Sequence, residues 1–297
     1  MGKKYLIIFI VIVVTIISAL VYFFSDTFLQ ILMPIKNEIK LQTLPGKIIL
    51  ENTIGDGEQK GIVIYTPHTE KKKVILDENV VYNAQLSKDN EKILVCSNSK
   101  NYIFEYNLKS KETIPIVKSV TGGISGLSKY TPDEKSFSFA DENGLHLVNM
   151  LTKMDNLILN NIETISWAKD SSTFLYSIIN EDKVYKYNIN NKQEQFLFSG
   201  YNAQYSNDDK YIAYLPQYMD KVLVIIDQET GEQWKYFTQG GIIGYTFSPD
   251  NNYIAIVELS KKILLSPMSG PVVIWDYKKD KKSTLFKNYY GKFIDWK

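Results

Sequence analysis

At 297 residues the chain has room for one large domain or two ordinary ones, and 44% hydrophobic against 23% charged residues exclude wholesale disorder. Basic and acidic residues nearly cancel, 34 against 33, so no long-range field for nucleic acid is expected. The basic residues other than histidine are all lysine, which removes bidentate arginine clamps, and the single cysteine, Cys96, excludes an intramolecular disulfide and a thiolate metal cluster.

Residues 1–4 read as a cytoplasmic tip. Tyr5 to Phe24 then run for twenty residues without a charge. As a helix rising about 1.5 Å per residue they would reach about 30 Å, the hydrocarbon thickness of a bilayer. Lys3 and Lys4 precede the run and Asp26 follows it. The positive-inside bias therefore predicts a single-pass signal anchor, with everything after Phe24 outside the cell membrane. A cleaved signal peptide is the other reading, but its apolar core spans only about 7–15 residues. Ile17-Ser18-Ala19 also makes a poor cleavage site, and the apolar run continues past it. Residues 25–46 read as a juxtamembrane stalk, with Pro34 as a helix stop and Pro45-Gly46 as a loop signal.

From Lys47 onward a repeat near forty residues dominates. Five segments align: Ala84-Gln-Leu-Ser-Lys-Asp89, Ser128-Lys-Tyr-Thr-Pro-Asp133, Ile165-Ser-Trp-Ala-Lys-Asp170, Ala203-Gln-Tyr-Ser-Asn-Asp208 and Tyr245-Thr-Phe-Ser-Pro-Asp250. Their aspartates lie 44, 37, 38 and 42 residues apart, a spacing that marks a repeat architecture. Polar turn residues and a β-rich run follow each one, which predicts strand, tight turn, strand. A third strand ends in Asn107, Asn149, Asn188, Asp227 or Asp276, whose side chain is expected to fix the next reversal. A short fourth strand completes a four-stranded antiparallel propeller blade. Three residues before each aspartate stand Leu86, Tyr130, Trp167, Tyr205 and Phe247, expected to pack between blades. Two before it stand Ser87, Thr131, Ala168, Ser206 and Ser248, small as crowded inner strands require. The aspartate itself reads as a β-turn former, not as a metal ligand or catalyst.

These residues resemble the TolB-like propeller repeat. Thr131-Pro132-Asp133 and Ser248-Pro249-Asp250 stand nearest to its Ser-Pro-Asp-Gly turn, and Trp275-Asp276 is similar to the dipeptide of WD-repeat propellers. The resemblance covers residues 47–297. The glycine after the aspartate is replaced throughout, by Asn90, Glu134, Ser171, Asp209 and Asn251. The resemblance implies a binding platform; some members of such families are appended to peptidase domains, for which this chain has no room.

Residues 47–52, 61–66 and 72–76 look like a blade that lacks its inner strand, and residues 293–297 look like an inner strand that lacks its blade, FIDWK matching TISWA. Pairing the two would close a ring of six blades and remove its free edges. The expected architecture is therefore all-β, a six-bladed propeller over residues 47–297 behind one transmembrane helix over residues 5–24.

Two places are candidates for function. Four residues before the aspartates stand Gln85, Lys129, Ser166, Gln204 and Thr246, with Asp295 aligned to them, a polar column lining a wet channel or a pore for a small polar ligand or ion. On the rim, the loop at residues 216–221 carries Tyr218 and Met219, and a thirteen-residue stretch from Leu259 to Pro271 carries Ile263, Leu264, Leu265 and Met268. Long loops and such side chains suit a protein partner, and a hairpin extension packed on its own blade is the competing reading. His146 reads as packed or exposed and not as a ligand, and Gly122-Gly123 and Gly240-Gly241 read as turns. No metal-ligand motif, phosphate loop or nucleophile elbow is present, so neither cofactor nor metal is expected. The expected function is a non-catalytic module binding a protein or envelope ligand; the alternative is an exterior hydrolase or lyase using carboxylates at the channel mouth.

Overall fold

A computed structural model describes residues 38–51, 61–76, 81–97, 102–117, 128–178, 181–259, 270–289, 291 and 294–297. The uncharged run from Tyr5 to Phe24 lies outside the described residues, as do Gly122-Gly123 and the rim residues Ile263, Leu264, Leu265 and Met268. Among the described residues no helix is long and apolar enough to cross a membrane.

The apolar runs become short strands. β1 (Ile48–Glu51), β2 (Ile62–Thr66) and β3 (Lys71–Leu76) belong to blade 1. Blade 2 holds β4 (Val81–Leu86), β5 (Lys92–Ser97), β6 (Tyr102–Asn107) and β7 (Thr113–Val117). Blade 3 holds β8 (Lys129–Tyr130), β9 (Ser136–Asp141), β10 (Gly144–Asn149) and β11 (Asp155–Leu159). Blade 4 runs through β12 (Ile162–Trp167), β13 (Thr173–Ile178), β14 (Lys183–Asn188) and β15 (Gln193–Ser199). Blade 5 runs through β16 (Tyr201–Tyr205), β17 (Tyr211–Leu215), β18 (Val222–Asp227) and β19 (Gln233–Phe237). Blade 6 has β20 (Ile242–Phe247), β21 (Ile254–Glu258), β22 (Gly270–Asp276) and β23 (Lys281–Tyr289). The last strand, β24 (Ile294–Trp296), returns to blade 1 and pairs antiparallel with β1, Ile48 opposite Trp296 and Leu50 opposite Ile294. The described residues thus form six four-stranded antiparallel sheets, a six-bladed propeller.

Middle strands such as β5 are buried on both faces. In β5, Ile93 and Val95 pack with blade 1, whereas Leu94 and Cys96 pack with blade 3. Successive side chains point to opposite faces of a strand, so each blade feeds two cores, and the sequence reads as continuous apolar runs. Of the expected inter-blade residues, Leu86, Tyr130, Trp167 and Phe247 are buried there and Tyr205 is half-buried. The N-terminal edge of the propeller reaches back into the segment read as stalk. Ile39 and Leu44 are buried with Trp296 and Phe286 between blades 6 and 1, and the Ile39 N–H donates to Ser283 Oγ at 2.7 Å.

At the seam, the Lys297 N–H donates to the Lys47 carbonyl at 3.0 Å, and Trp296 Nε1 donates to the Pro45 carbonyl at 2.7 Å. Gly46 sits there at φ +69, and a Cβ on it would lie 2.1 Å from the Lys297 carbonyl oxygen, so this position needs glycine.

The turn chemistry explains three columns. The side chains of Asn107, Asn149, Asn188 and Asp227 each accept two backbone N–H bonds from the turn that follows, and Asp276 accepts one. The small column has a reason beyond crowding: Ser87, Thr131, Ser206 and Ser248 donate their hydroxyls to the repeat aspartates Asp89, Asp133, Asp208 and Asp250 at 2.5–2.7 Å. Ala168 has no hydroxyl, and Asp170 is bonded instead by Ser172 and Thr173. The residues standing where the family has glycine, Asn90, Glu134, Ser171, Asp209 and Asn251, all adopt φ between 56 and 61. Four of them use their side chains to reach the preceding blade. Glu134 accepts from the Lys88 N–H, Ser171 from Asp133, Asp209 from Lys169, and Asn251 from Asn207 at 2.9 Å. Left-handed backbone costs a side-chain-bearing residue about 1–2 kcal/mol, and these bonds between turns offset it.

Candidate functional site

The inner strands β4, β8, β12, β16, β20 and β24 bring the whole polar column to one cavity of about 660 Å³, which opens between the turns that follow those strands. Gln85, Lys129, Ser166, Gln204, Thr246 and Asp295 all line it. Sequence reasoning missed the mouth, formed by Lys88, Glu134, Lys169, Asp209 and Lys297. The signal was present in the replaced glycine column, since Glu134 and Asp209 both stand in it.

The six channel residues differ in what they already hold. Gln85 Oε1 accepts from the Tyr130 N–H at 2.7 Å, and Ser166 Oγ accepts from the Tyr205 N–H at 3.0 Å, so each ties its inner strand to the next blade. Lys129 and Asp295 are different. Lys129 lines the cavity half-buried, and Asp295 Oδ2 is buried without a donor among the described residues. They face one cavity with opposite charges and form no ion pair with each other. Burial holds the Lys129 pKa below the usual lysine value; the negative Asp295 opposes that shift and Lys297 adds to it. A desolvated ammonium and an unsatisfied carboxylate oxygen are both costly alone.

The mouth carboxylates are engaged. Glu134 and Asp209 accept the turn bonds described above, and Asp133 accepts from the Thr131 hydroxyl at 2.7 Å and the Lys135 N–H at 3.1 Å. Burial raises the pKa of Asp209, partly countered by the Lys169 N–H and reinforced by Asp170 and Asp208.

The rim candidates that are described form a second, smaller hollow of about 190 Å³. Tyr218 and Met219 line it with Tyr201, Ile242 and Glu163. Tyr218 is 56% exposed and meets Tyr201 edge-on at 5.1 Å. Met219 has φ 52, and its carbonyl packs over Gly241. Elsewhere, His146 stacks on Phe139 at 4.6 Å and bonds Asp141 at 3.1 Å and Asp155 at 2.9 Å, while His68 lies exposed in a short 3-10 turn. No group of three or more metal-ligating side chains occurs among the described residues.

No protein family matches the sequence, and no curated protein matches it either. Solved structures do match. A putative TolB from Agrobacterium tumefaciens aligns with a TM-score of 0.63 at 15% identity, over 84% of this chain and 92% of that one. The fold is TolB-like. TolB from Acinetobacter baumannii aligns at 0.54 and 15% identity, over 80% of this chain and 67% of that one. An oligogalacturonate lyase in complex with manganese aligns at 0.55 and 10% identity, over 77% and 71%. At these identities a TolB-like architecture is what is shared, and the ligand has to be argued from the chain's own residues.

Proposed function

We propose that this chain is a membrane-anchored, extracytoplasmic binding propeller without catalytic activity, and that its channel takes a small zwitterionic ligand. The observation that carries the ligand reading is the pair Lys129 and Asp295, opposite charges in one cavity without an ion pair between them, with Asp295 Oδ2 lacking a donor. An anionic group on Lys129 and a donor on Asp295 would satisfy both at once, with Gln204 and Thr246 as neutral polar walls. A cavity of about 660 Å³ falls in the usual range for small-molecule sites, roughly 300–1,000 Å³. Supporting the anchor is the uncharged run from Tyr5 to Phe24 with lysines before it and Asp26 after it.

The alternative, an exterior hydrolase or lyase, draws on the same cavity and on the lyase among the structural neighbours. Weighing against it, the mouth carboxylates Glu134, Asp209 and Asp133 serve as acceptors for turn bonds, which leaves Asp295 without a second free carboxylate to share acid–base work. A protein partner at the rim is the second reading, favoured by the exposure of Tyr218 beside the smaller hollow.

Titration calorimetry with amino acids, and with their decarboxylated and deaminated analogues, tests the channel. Binding should require both charges and should weaken at least about tenfold in Lys129→Met and in Asp295→Asn, the loss of one charged hydrogen bond. Equal binding of the single-charge analogues, or undiminished binding in both variants, would refute the zwitterion reading. For the anchor, alkaline washing should leave the full-length chain in membranes, and protease added to intact cells should degrade its propeller. A mature protein beginning near Leu20 in the medium would sink that part.

A further inference from the structure

The outer strands of the six blades are unequal in charge. In blades 1 and 6, β3 and β23 carry Lys71, Lys72, Lys73, Lys281, Lys282 and Lys287 and no acidic residue. In the other four blades, β7, β11, β15 and β19 together carry Asp155, Glu194 and Lys235. Net charge over the whole chain is only +1, so this flank departs from the rest of the molecule.

Blades 1 and 6 are neighbours, joined at the ring seam. Lys72 Nζ lies 4.4 Å over the Phe286 ring of blade 6, which fixes the two outer strands side by side. Lys282 Nζ lies 4.1 Å over Tyr236. Contacts of this kind hold the ammonium groups themselves against an aromatic face. Five of the six lysines are exposed and Lys281 is partly buried. Among the described residues, the acids that directly precede these strands already accept hydrogen bonds: Glu70 from Gln42, and Asp280 from Trp275 Nε1 at 3.0 Å.

The chain joins the propeller on this same flank. Ile39 exchanges two hydrogen bonds with Ser283, which sits on β23 beside Lys282, the second being Ser283 Oγ to the Ile39 carbonyl at 3.1 Å. From Phe24 to Ile39 the chain can extend at most roughly 50 Å. Whatever holds Phe24 therefore keeps this flank within that distance, and a short tether raises the effective concentration of the surface it faces.

We infer that the lysine flank of blades 1 and 6 docks on the anionic phosphate headgroups of the bilayer that holds the N-terminal segment. The inference rests on the anchor reading above, and it adds an orientation: the propeller lies on its side edge against the lipid, with the channel mouth turned along the membrane surface and open to solutes. Clustered lysines beside an anchor gain from an anionic surface and lose that gain beyond a Debye length.

The test uses the full chain in nanodiscs of neutral phosphatidylcholine or of the same lipid with about a third phosphatidylglycerol. Lysine acylation by a water-soluble ester is read residue by residue by mass spectrometry. At low salt the six flank lysines should react roughly tenfold more slowly in anionic discs, whereas Lys186 and Lys235 keep one rate. At about 1 M salt, where the Debye length falls to about 3 Å, the difference should vanish. In the Lys71→Gln/Lys72→Gln/Lys73→Gln chain, protection of Lys281, Lys282 and Lys287 should drop. Equal rates in the two disc types overturn the inference, as does protection that survives high salt or the triple substitution. Failure of the chain to enter discs is a separate result that refutes the anchor. The flank is then read by sedimentation with vesicles of the same two compositions, and equal recovery with both overturns it.

Discussion

Removing the Trp296 indole asks whether β24 holds the ring shut. Trp296 is 1% exposed and packs with Ile48, Leu50, Phe286 and Leu44 in the core between blades 6 and 1. Trp296→Ala empties that site, which typically costs about 3–5 kcal/mol. It also strands the Pro45 carbonyl, which accepts the indole N–H at 2.7 Å, for about 1 kcal/mol more unless water reaches it. A total near 5 kcal/mol corresponds to a fall in Tm of about 10–20 °C for a domain of this size. Calorimetry on the full chain measures it. Trp296→Phe is the control: it keeps most of the packing and should lose only about 1–2 kcal/mol, since the hydrogen bond goes but the ring stays. A Tm within about 2 °C of the parent for Trp296→Ala would falsify the view that this strand carries the closure. An equal, large loss in both variants would assign the effect to the hydrogen bond instead of the packing.

Two further outcomes follow from the turns. Asn251 combines a left-handed backbone with bonds to Asn207, so Asn251→Gly should lose about 1 kcal/mol and Asn251→Ala about 2–3 kcal/mol in denaturant unfolding; glycine equal to or better than asparagine would mean the bonds between turns contribute nothing. In Asp170, burial disfavours the charge, but hydrogen bonds from Ser172 and Thr173 outweigh it and hold the folded pKa below the ordinary carboxylate value. Asp89, held down chiefly by the Ser87 hydroxyl, and Asp133 and Asp208 shift in the same direction. Stability from such groups is complete above about pH 4 and is lost as pH falls through their lowered folded pKa values. Asp170→Asn should therefore be less stable than the parent at pH 7 and should show a shallower acid limb; an unchanged pH profile would refute this. Asp209 works the other way, because burial raises its pKa and its protonation favours the fold as pH falls.

The elements legible in the sequence were those with local causes. The Asx turns after Asn107 and Asp227 need only a side chain and the next three residues, and the forty-residue period needs only counting. Trp296 could be matched to Trp167 because FIDWK repeats the pattern of TISWA. What stayed hidden is contact across blades. Glu134 and Asp209 looked like departures from a glycine rule, and their reason lies on turns 46 and 40 residues away. Gln85 and Ser166 could not be told apart from Lys129 and Asp295 within one polar column, because the difference is whether a neighbouring strand presents an N–H. The strand pattern marks His146 as packed or exposed, and the structure adds its bonds to Asp141 and Asp155. Tyr218 and Met219 do meet in one hollow, but nothing in the spacing announced Tyr201 and Glu163 as its other walls.

The seam also sets a schedule for synthesis. The partners Pro45 and Trp296 are 251 residues apart, so β1 is made early and must wait for β24. At about 5–20 residues per second that wait is roughly 10–50 s. Throughout it the Ile48–Leu50 edge offers unpaired backbone groups, and the face of blade 6 bearing Val257 and Val272, once made, lacks its cover until β24 follows. A chain cut or stalled in that interval is an open fan, not a smaller propeller, with one free strand edge and one apolar face. In the closed ring the blade 6 face packs on Ile48 and Leu50 of β1, so two such fragments meeting would join tail to head instead of each closing on itself.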